Sequence, residues 1–180
     1  MNRHIVITGD AAEELPRTAD ALRRGGNAVT IGDLTALDAH LPVTSFIIVA
    51  RFTAGMEWDT WWAQDAHNRE AFEAVLPHLA AASNGMLIGL STTTDRSERA
   101  EIRAGISSLL YRFQARAAAD RGIDFSMNGI ELPDRFDQDL LNRRLSEHAN
   151  RRGLLANEAV VRFEDLTDQT IAQAMTADFI

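Results

Sequence analysis

The residues able to do chemistry in this chain are few, and their spacing decides what they can do. His4, His40, His67, His78 and His148 show no H-E-x-x-H or comparable ligand spacing, so they read as surface or capping residues and no metal site is expected. Asp134, Asp137 and Asp139 are dense enough to suggest a divalent cation, but a solvated acidic helix start accounts for them. Ser91, Thr92, Thr93 and Thr94 form a hydroxyl cluster after an apolar run. No histidine or carboxylate follows at a diagnostic position, so the cluster reads as a helix cap rather than a nucleophile. Arg96, Arg99 and Arg103 share one helical stripe, with Glu98 and Glu101 between them. That is the pattern of a salt-bridged, solvated face; the sharper alternative is a site for an acidic carrier protein or an acyl-carrier phosphate. Near the start, Asp10-x-x-Glu13 has the spacing of a capping box.

What is missing narrows the chemistry further. All 18 basic residues are arginine and there is no cysteine. Schiff-base chemistry, lysine-tuned acids, thiol nucleophiles and thiolate metal sites are excluded. Tyr111 is the single tyrosine.

The elements that must position these groups follow from periodicity. Short apolar runs at 4–8, 28–31, 45–50, 86–90 and, more weakly, 123–130 predict five strands. Leu15, Ala19 and Leu22 predict a first helix closed by Gly25 and Gly26. Two long helices are expected over 58–82 and 95–120, the second capped by Thr94 or Asp95 and ended by Gly122. Residues 133–152 read as helix and loop, and a last helix is expected over 167–179. Continuous apolar strands alternating with helices imply a parallel sheet covered on both faces. The fold class expected is α/β, Rossmann-like and doubly wound, as one unit over 1–180.

The net charge of −8 argues against nucleic acid and anionic membrane as partners, since both reward basic patches. No apolar run approaches the roughly 20 residues of a membrane-spanning helix. A cytoplasmic setting fits the lack of cysteine.

At this point the chain resembles the short-chain dehydrogenase/reductase family, particularly its 3-oxoacyl reductase branch. IVITGDAAEELPRTADALRRGGNAVTIGD is similar to that family's first strand, cofactor turn, helix and second strand. EWDTWWAQDAHNREAFEAVLPHLAAASNGMLIGLST resembles its central helix and the strand bearing the catalytic serine. RGIDFSMNGIELP and DLTDQTIAQAMTADFI look like later elements. The resemblance implies a sheet that lacks the family's third and seventh strands, leaving the order 2-1-4-5-6 in the family's numbering.

The resemblance also implies what has been lost. The family's T-G-x-x-x-G-x-G turn is matched at Thr8 and Gly9, but Glu13 and Leu15 stand at its other two glycine positions. A carboxylate and a Cβ branch there leave no room for a pyrophosphate. Asp33 falls where an NAD-selecting acid would bond the ribose, and also reads as a turn-capping aspartate. The catalytic positions fall on Thr92, Ala100 and Ala104, with Gln64 or Asp65 at the asparagine. Alanine can serve neither as acid nor as ammonium. These positions imply a pseudoenzyme without cofactor, acting by association, as partner subunit of an active ketoreductase in fatty-acid or polyketide-type metabolism. The expected interface is the two long helices, through Trp58, Trp61, Trp62, Ile102, Ile106, Leu109, Leu110 and Phe113. Alternatives are an NAD(P)-dependent oxidoreductase or cofactor sensor with an altered site, which would take NAD, and a homodimeric scaffold through the same helices.

Overall fold

The computed structural model describes residues 3–32, 34, 37, 41–57, 66–122, 125–149 and 158–177. In chain order the main elements are β1 (His4–Thr8), α1 (Pro16–Arg24), β2 (Ala28–Ile31), β3 (Val43–Phe52), α2 (Ala66–Val75), β4 (Leu79–Ser91), α3 (Arg96–Arg121), β5 (Ser126–Leu132), α4 (Gln138–Ala149), β6 (Val160–Arg162) and α5 (Ile171–Ala177). The six strands form one sheet in the order β2-β1-β3-β4-β5-β6, with every neighbouring pair parallel. The expected doubly wound α/β class is the observed one.

Alternation along the strands divides the core in two. Ile5, Ile7, Ile47, Val49, Ile88, Ile130 and Val161 pack with α1, α4 and α5 on one face. Val6, Phe46, Ile48, Phe52, Leu87 and Met127 pack with α2 and α3 on the other. The sheet shortens toward both margins, from a 13-residue β4 to a four-residue β2 and a three-residue β6.

Three expectations are corrected. The helix anticipated over 58–82 ends at Val75; Leu76–His78 form a 3-10 turn and β4 begins at Leu79. Pro77 lacks the N–H an α-helix needs, and Leu79 turns extended to pair with Val43. The anticipated start of that helix, with Trp58, Trp61, Trp62 and Gln64, lies outside the described residues, as does Asp33. A sixth strand, β6, extends the expected five-strand order beyond β5. It is three residues long, too short for an alternation pattern to reveal it.

The third correction concerns the turn after β1. Asp10 and Glu13 do not cap α1, which begins at Pro16 with Leu15 as N-cap and no side-chain bond there. Instead Ala12–Glu14 form a 3-10 turn. Gly9 has φ +121°, and a Cβ on it would stand 2.1 Å from the Val49 carbonyl oxygen. The Ala11 N–H donates to that same oxygen at 3.2 Å. Leu15 is core, at 3% exposure, whereas Glu13 is exposed. The turn is therefore closed by backbone packed on β3, not by the Glu13 carboxylate.

Candidate functional site

Ligands of doubly wound sheets usually sit at the carboxyl ends of the strands, where the order reverses. Here the reversal lies between β1 and β3, and the closed turn at Gly9 covers it. The carboxyl edge opens further along, over β4, β5 and β6.

Local sequence builds that opening in steps. After β4, the Thr93 N–H donates to Ser91 Oγ at 3.3 Å, and the Asp95 N–H donates to Thr93 Oγ1 at 3.1 Å. Asp95 then accepts from the N–H groups of Ser97 and Glu98 at 2.9 and 3.1 Å and so caps α3. The Ser97 hydroxyl also donates to Asp95, at 2.7 Å, and this bond, followed by those from the two N–H groups, holds the Asp95 carboxyl below its ordinary range. Of the two caps the sequence offers, Asp95 is the one used, and the Ser91 and Thr93 hydroxyls bond instead within the turn that leads to it. α3 lies close to the sheet because a Cβ at Gly89 or Gly129 would stand 2.5 or 2.8 Å from Ile106. Glu131, two residues beyond Gly129 on the same face of β5, meets the arginine stripe of α3.

Glu131 is completely buried, and Arg99 grips it with Nε at 2.6 Å and Nη2 at 2.7 Å. Arg103 reaches it at 3.4 Å. The other edge of the Arg99 guanidinium donates to Glu164, Nη1 at 2.5 Å and Nη2 at 3.0 Å. Glu164 stands on the 3-10 turn Phe163–Leu166 that follows β6, where Arg162 donates to Asp165 at 2.6 Å. Arg144 of α4 holds the end of that turn through the Leu166 carbonyl at 2.8 Å. Between these groups lies a cleft of about 290 Å³ lined by Thr94, Arg96, Arg99, Arg103, Arg162 and Glu164.

The electrostatics follow the geometry. Bonds to Glu131 and then to Glu164 raise the Arg99 pKa further above its already high ordinary value. The Arg99 bonds hold the Glu164 carboxyl below its ordinary 4.5 against the opposing effect of burial. A lowered folded-state pKa means that this pairing stabilises the chain above the ordinary carboxylate value and is lost as pH falls through the lower one. With Glu164 half exposed, the contribution is under about 1 kcal/mol. Urea titrations across pH 3–5 are expected to give a shallower loss of stability for Glu164→Gln than for the parent; identical slopes would refute the pairing.

The sequence reading saw the arginine stripe but assigned its partners within the helix. In the structure Glu98 accepts from Thr93, and Glu101 accepts from the Gly55 N–H at 3.0 Å. The true partners, Glu131 and Glu164, come from β5 and from the turn after β6. A lone acid inside the apolar strand SMNGIEL was the available signal for Glu131. Thr92, Ala100 and Ala104 are exposed, and Ala104 lines a broader groove with Gly55, Met56 and Ser108. Thr8 is buried in β1 and Gly9 is the packed turn residue. The expected interface residues Ile102, Ile106, Leu109, Leu110 and Phe113 are all at 0% exposure within the chain itself, leaving no surface for a partner to cover. Among the described residues no helix is long and apolar enough to cross a membrane.

No protein-family model and no curated protein matches this sequence. Solved structures similar to the chain include rubredoxin:oxygen oxidoreductase from Desulfovibrio gigas, at 11% identity and TM-score 0.46, over 99% of this chain and 37% of that one. The metal-soaked Flv1 flavodiiron core from Synechocystis is another, at 15% identity and TM-score 0.47, over 98% of this chain and 36% of that one. This chain therefore spans little more than a third of their length. The resemblance to short-chain dehydrogenase/reductases is overturned by these neighbours. With it fall the reductase-like pseudoenzyme, the ketoreductase partnership and the alternative of an NAD-dependent enzyme or sensor. Strand order does not separate the two readings: β2-β1-β3-β4-β5 is the flavodoxin order 2-1-3-4-5 and equally the order expected of a sheet that lacks the reductases' third strand. Of the interface expected for a homodimeric scaffold, the α3 side chains are internal, whereas Trp58, Trp61 and Trp62 lie outside the described residues. The expectation of no cofactor finds no support in these neighbours, one of which is named as a flavodiiron core.

Proposed function

We propose that this chain is a binding domain for a small anionic ligand, carboxylate or phosphate, held at the carboxyl edge of the sheet over β4–β6. The observation that supports this is the cleft of about 290 Å³ edged by Arg96, Arg99, Arg103 and Arg162, the size of a small metabolite's pocket. Arginine suits the task because its planar fork meets two oxygens at once and keeps its charge at every working pH. Glu131 fixes the orientation of Arg99 from below, so one donor of the site is set before a ligand arrives. Arg103 is partly exposed and Arg96 exposed, so both can turn toward an anion.

Flavin and iron, which the neighbours' names suggest, do not fit the described residues. A flavin phosphate at the β1 turn would need free backbone donors, but the Ala11 N–H is bonded to Val49 and the Ala12 N–H to Gly9. Among the described residues no group of three or more His, Asp or Glu could hold a metal.

Calorimetric titration with succinate and with inorganic phosphate at constant ionic strength tests the reading. Saturable binding with a dissociation constant of about 1 mM or tighter is expected, weakened about ten-fold or more in Arg103→Ala, the loss of one charge-assisted bond. Absence of saturable binding by every form of the chain would overturn it.

A further inference from the structure

The two carboxylates on Arg99 differ in a way that assigns them different roles. Glu131 is wholly buried in β5 and cannot leave without opening the sheet. Glu164 lies on a four-residue 3-10 turn, its side chain 52% exposed, and needs only a rotation to reach solvent. It occupies the Nη1–Nη2 edge of Arg99 with both oxygens, and the two residues line the cleft together.

We infer that Glu164 is a tethered occupant of the anion site: it fills the Arg99 fork in the free chain and must be displaced by the ligand. This rests on the anion-binding reading above and adds the ligand's class. An incumbent that is itself a carboxylate, bonded through both oxygens, defines a fork suited to a second carboxylate. A monocarboxylate gains nothing by the exchange, since it replaces like with like and loses its own freedom. The ligand that displaces Glu164 must bring another anionic group to Arg96 or Arg103, which Glu164 does not engage. These arginines lie three and four residues from Arg99 on one helical stripe, so neighbouring Cβ atoms are about 5–6 Å apart. A short dicarboxylate spans that interval. Displacement also removes a negative charge from the cleft as the ligand's charges enter, so the tether sets the affinity threshold and rejects monocarboxylates.

The test compares the parent chain, Glu164→Gln and Glu98→Gln by calorimetric titration with succinate and with acetate at constant ionic strength. Glu98 lies in the first turn of α3 with its carboxylate on Thr93, so its variant reports the effect of removing a nearby charge alone. Succinate is expected to bind Glu164→Gln about ten-fold more tightly than the parent, as removal of a tethered competitor requires. Glu98→Gln should change less than two-fold, and acetate should bind measurably only to Glu164→Gln. Binding to Glu164→Gln alone, with none to the parent, also supports the tether. If the parent binds succinate and Glu164→Gln binds it no better, or Glu98→Gln gains as much, the tether is refuted while anion binding stands. If no form binds either succinate or phosphate, both fall.

Discussion

Arg99→Met is expected to destabilise the chain by about 3–5 kcal/mol, measured by urea denaturation at neutral pH. Methionine keeps much of the stem's packing but leaves Glu131, at 0% exposure, as a buried carboxylate without its bidentate partner. Arg103 stands 3.4 Å from the same carboxylate and cannot supply the two short bonds that Arg99 makes. Arg99→Lys should fall between, since an ammonium restores the charge but not the fork. The double variant Arg99→Met with Glu131→Leu should recover most of the loss, because the cost lies in the stranded charge and not in the absence of the pair. A loss below about 1 kcal/mol for Arg99→Met would show that Glu131 is solvated or otherwise paired.

Gly9→Ala should have an effect at least as large. Its Cβ would meet the Val49 carbonyl oxygen at 2.1 Å and the Val49 nitrogen at 2.7 Å, and both belong to the backbone of β3. Neither can move without disturbing the pairing of β3 with β1 and β4, in which Val49 is paired with Ile88 and its neighbour Ile48 with Thr8. The loss is expected to exceed about 4 kcal/mol, most of the stability of a chain at the low end of the ordinary range. Gly26→Ala supplies the control. Gly26 also has a positive φ, +84°, but nothing lies within 4 Å of the place its Cβ would take. That variant should lose only the about 1–2 kcal/mol of left-handed backbone strain. Thermal melts followed by circular dichroism separate the two; equal losses would mean that strain, not the approach to β3, governs position 9.

Much of the architecture was legible because it is written in short-range patterns. Apolar runs marked five strands, Asp95 and Gly122 bracketed α3, and Asp137 caps α4 through the Leu140 N–H at 3.0 Å. The breakdowns share one physical origin. Helical spacing continued past Val75 on Phe72, Val75, Leu76 and Leu79, so only Pro77 hinted at the change to 3-10 turn and strand. The apolar residues of α3 looked like a partner's landing face because an isolated helix cannot say which side its sheet takes. The site was harder still. Arg99 lies 32 positions from Glu131 and 65 from Glu164, so no local motif joins them. The family resemblance followed the same short-range signals that any doubly wound sheet produces, which is why it matched elements in order yet misnamed them.

The tapering of the sheet bears on how little of its backbone a foreign strand could pair with. A border strand exposes one row of unanswered backbone donors and acceptors, which a foreign strand can adopt as rungs of its own ladder. β3 and β4 hold the long runs, and both are enclosed; the borders present four residues at β2 and three at β6. Ile31, 44% exposed at the end of β2, adds some stickiness there. So few rungs give an intruder little to grip, and the brevity of the margins shields from templated growth a chain whose interior strands are among its most apolar segments.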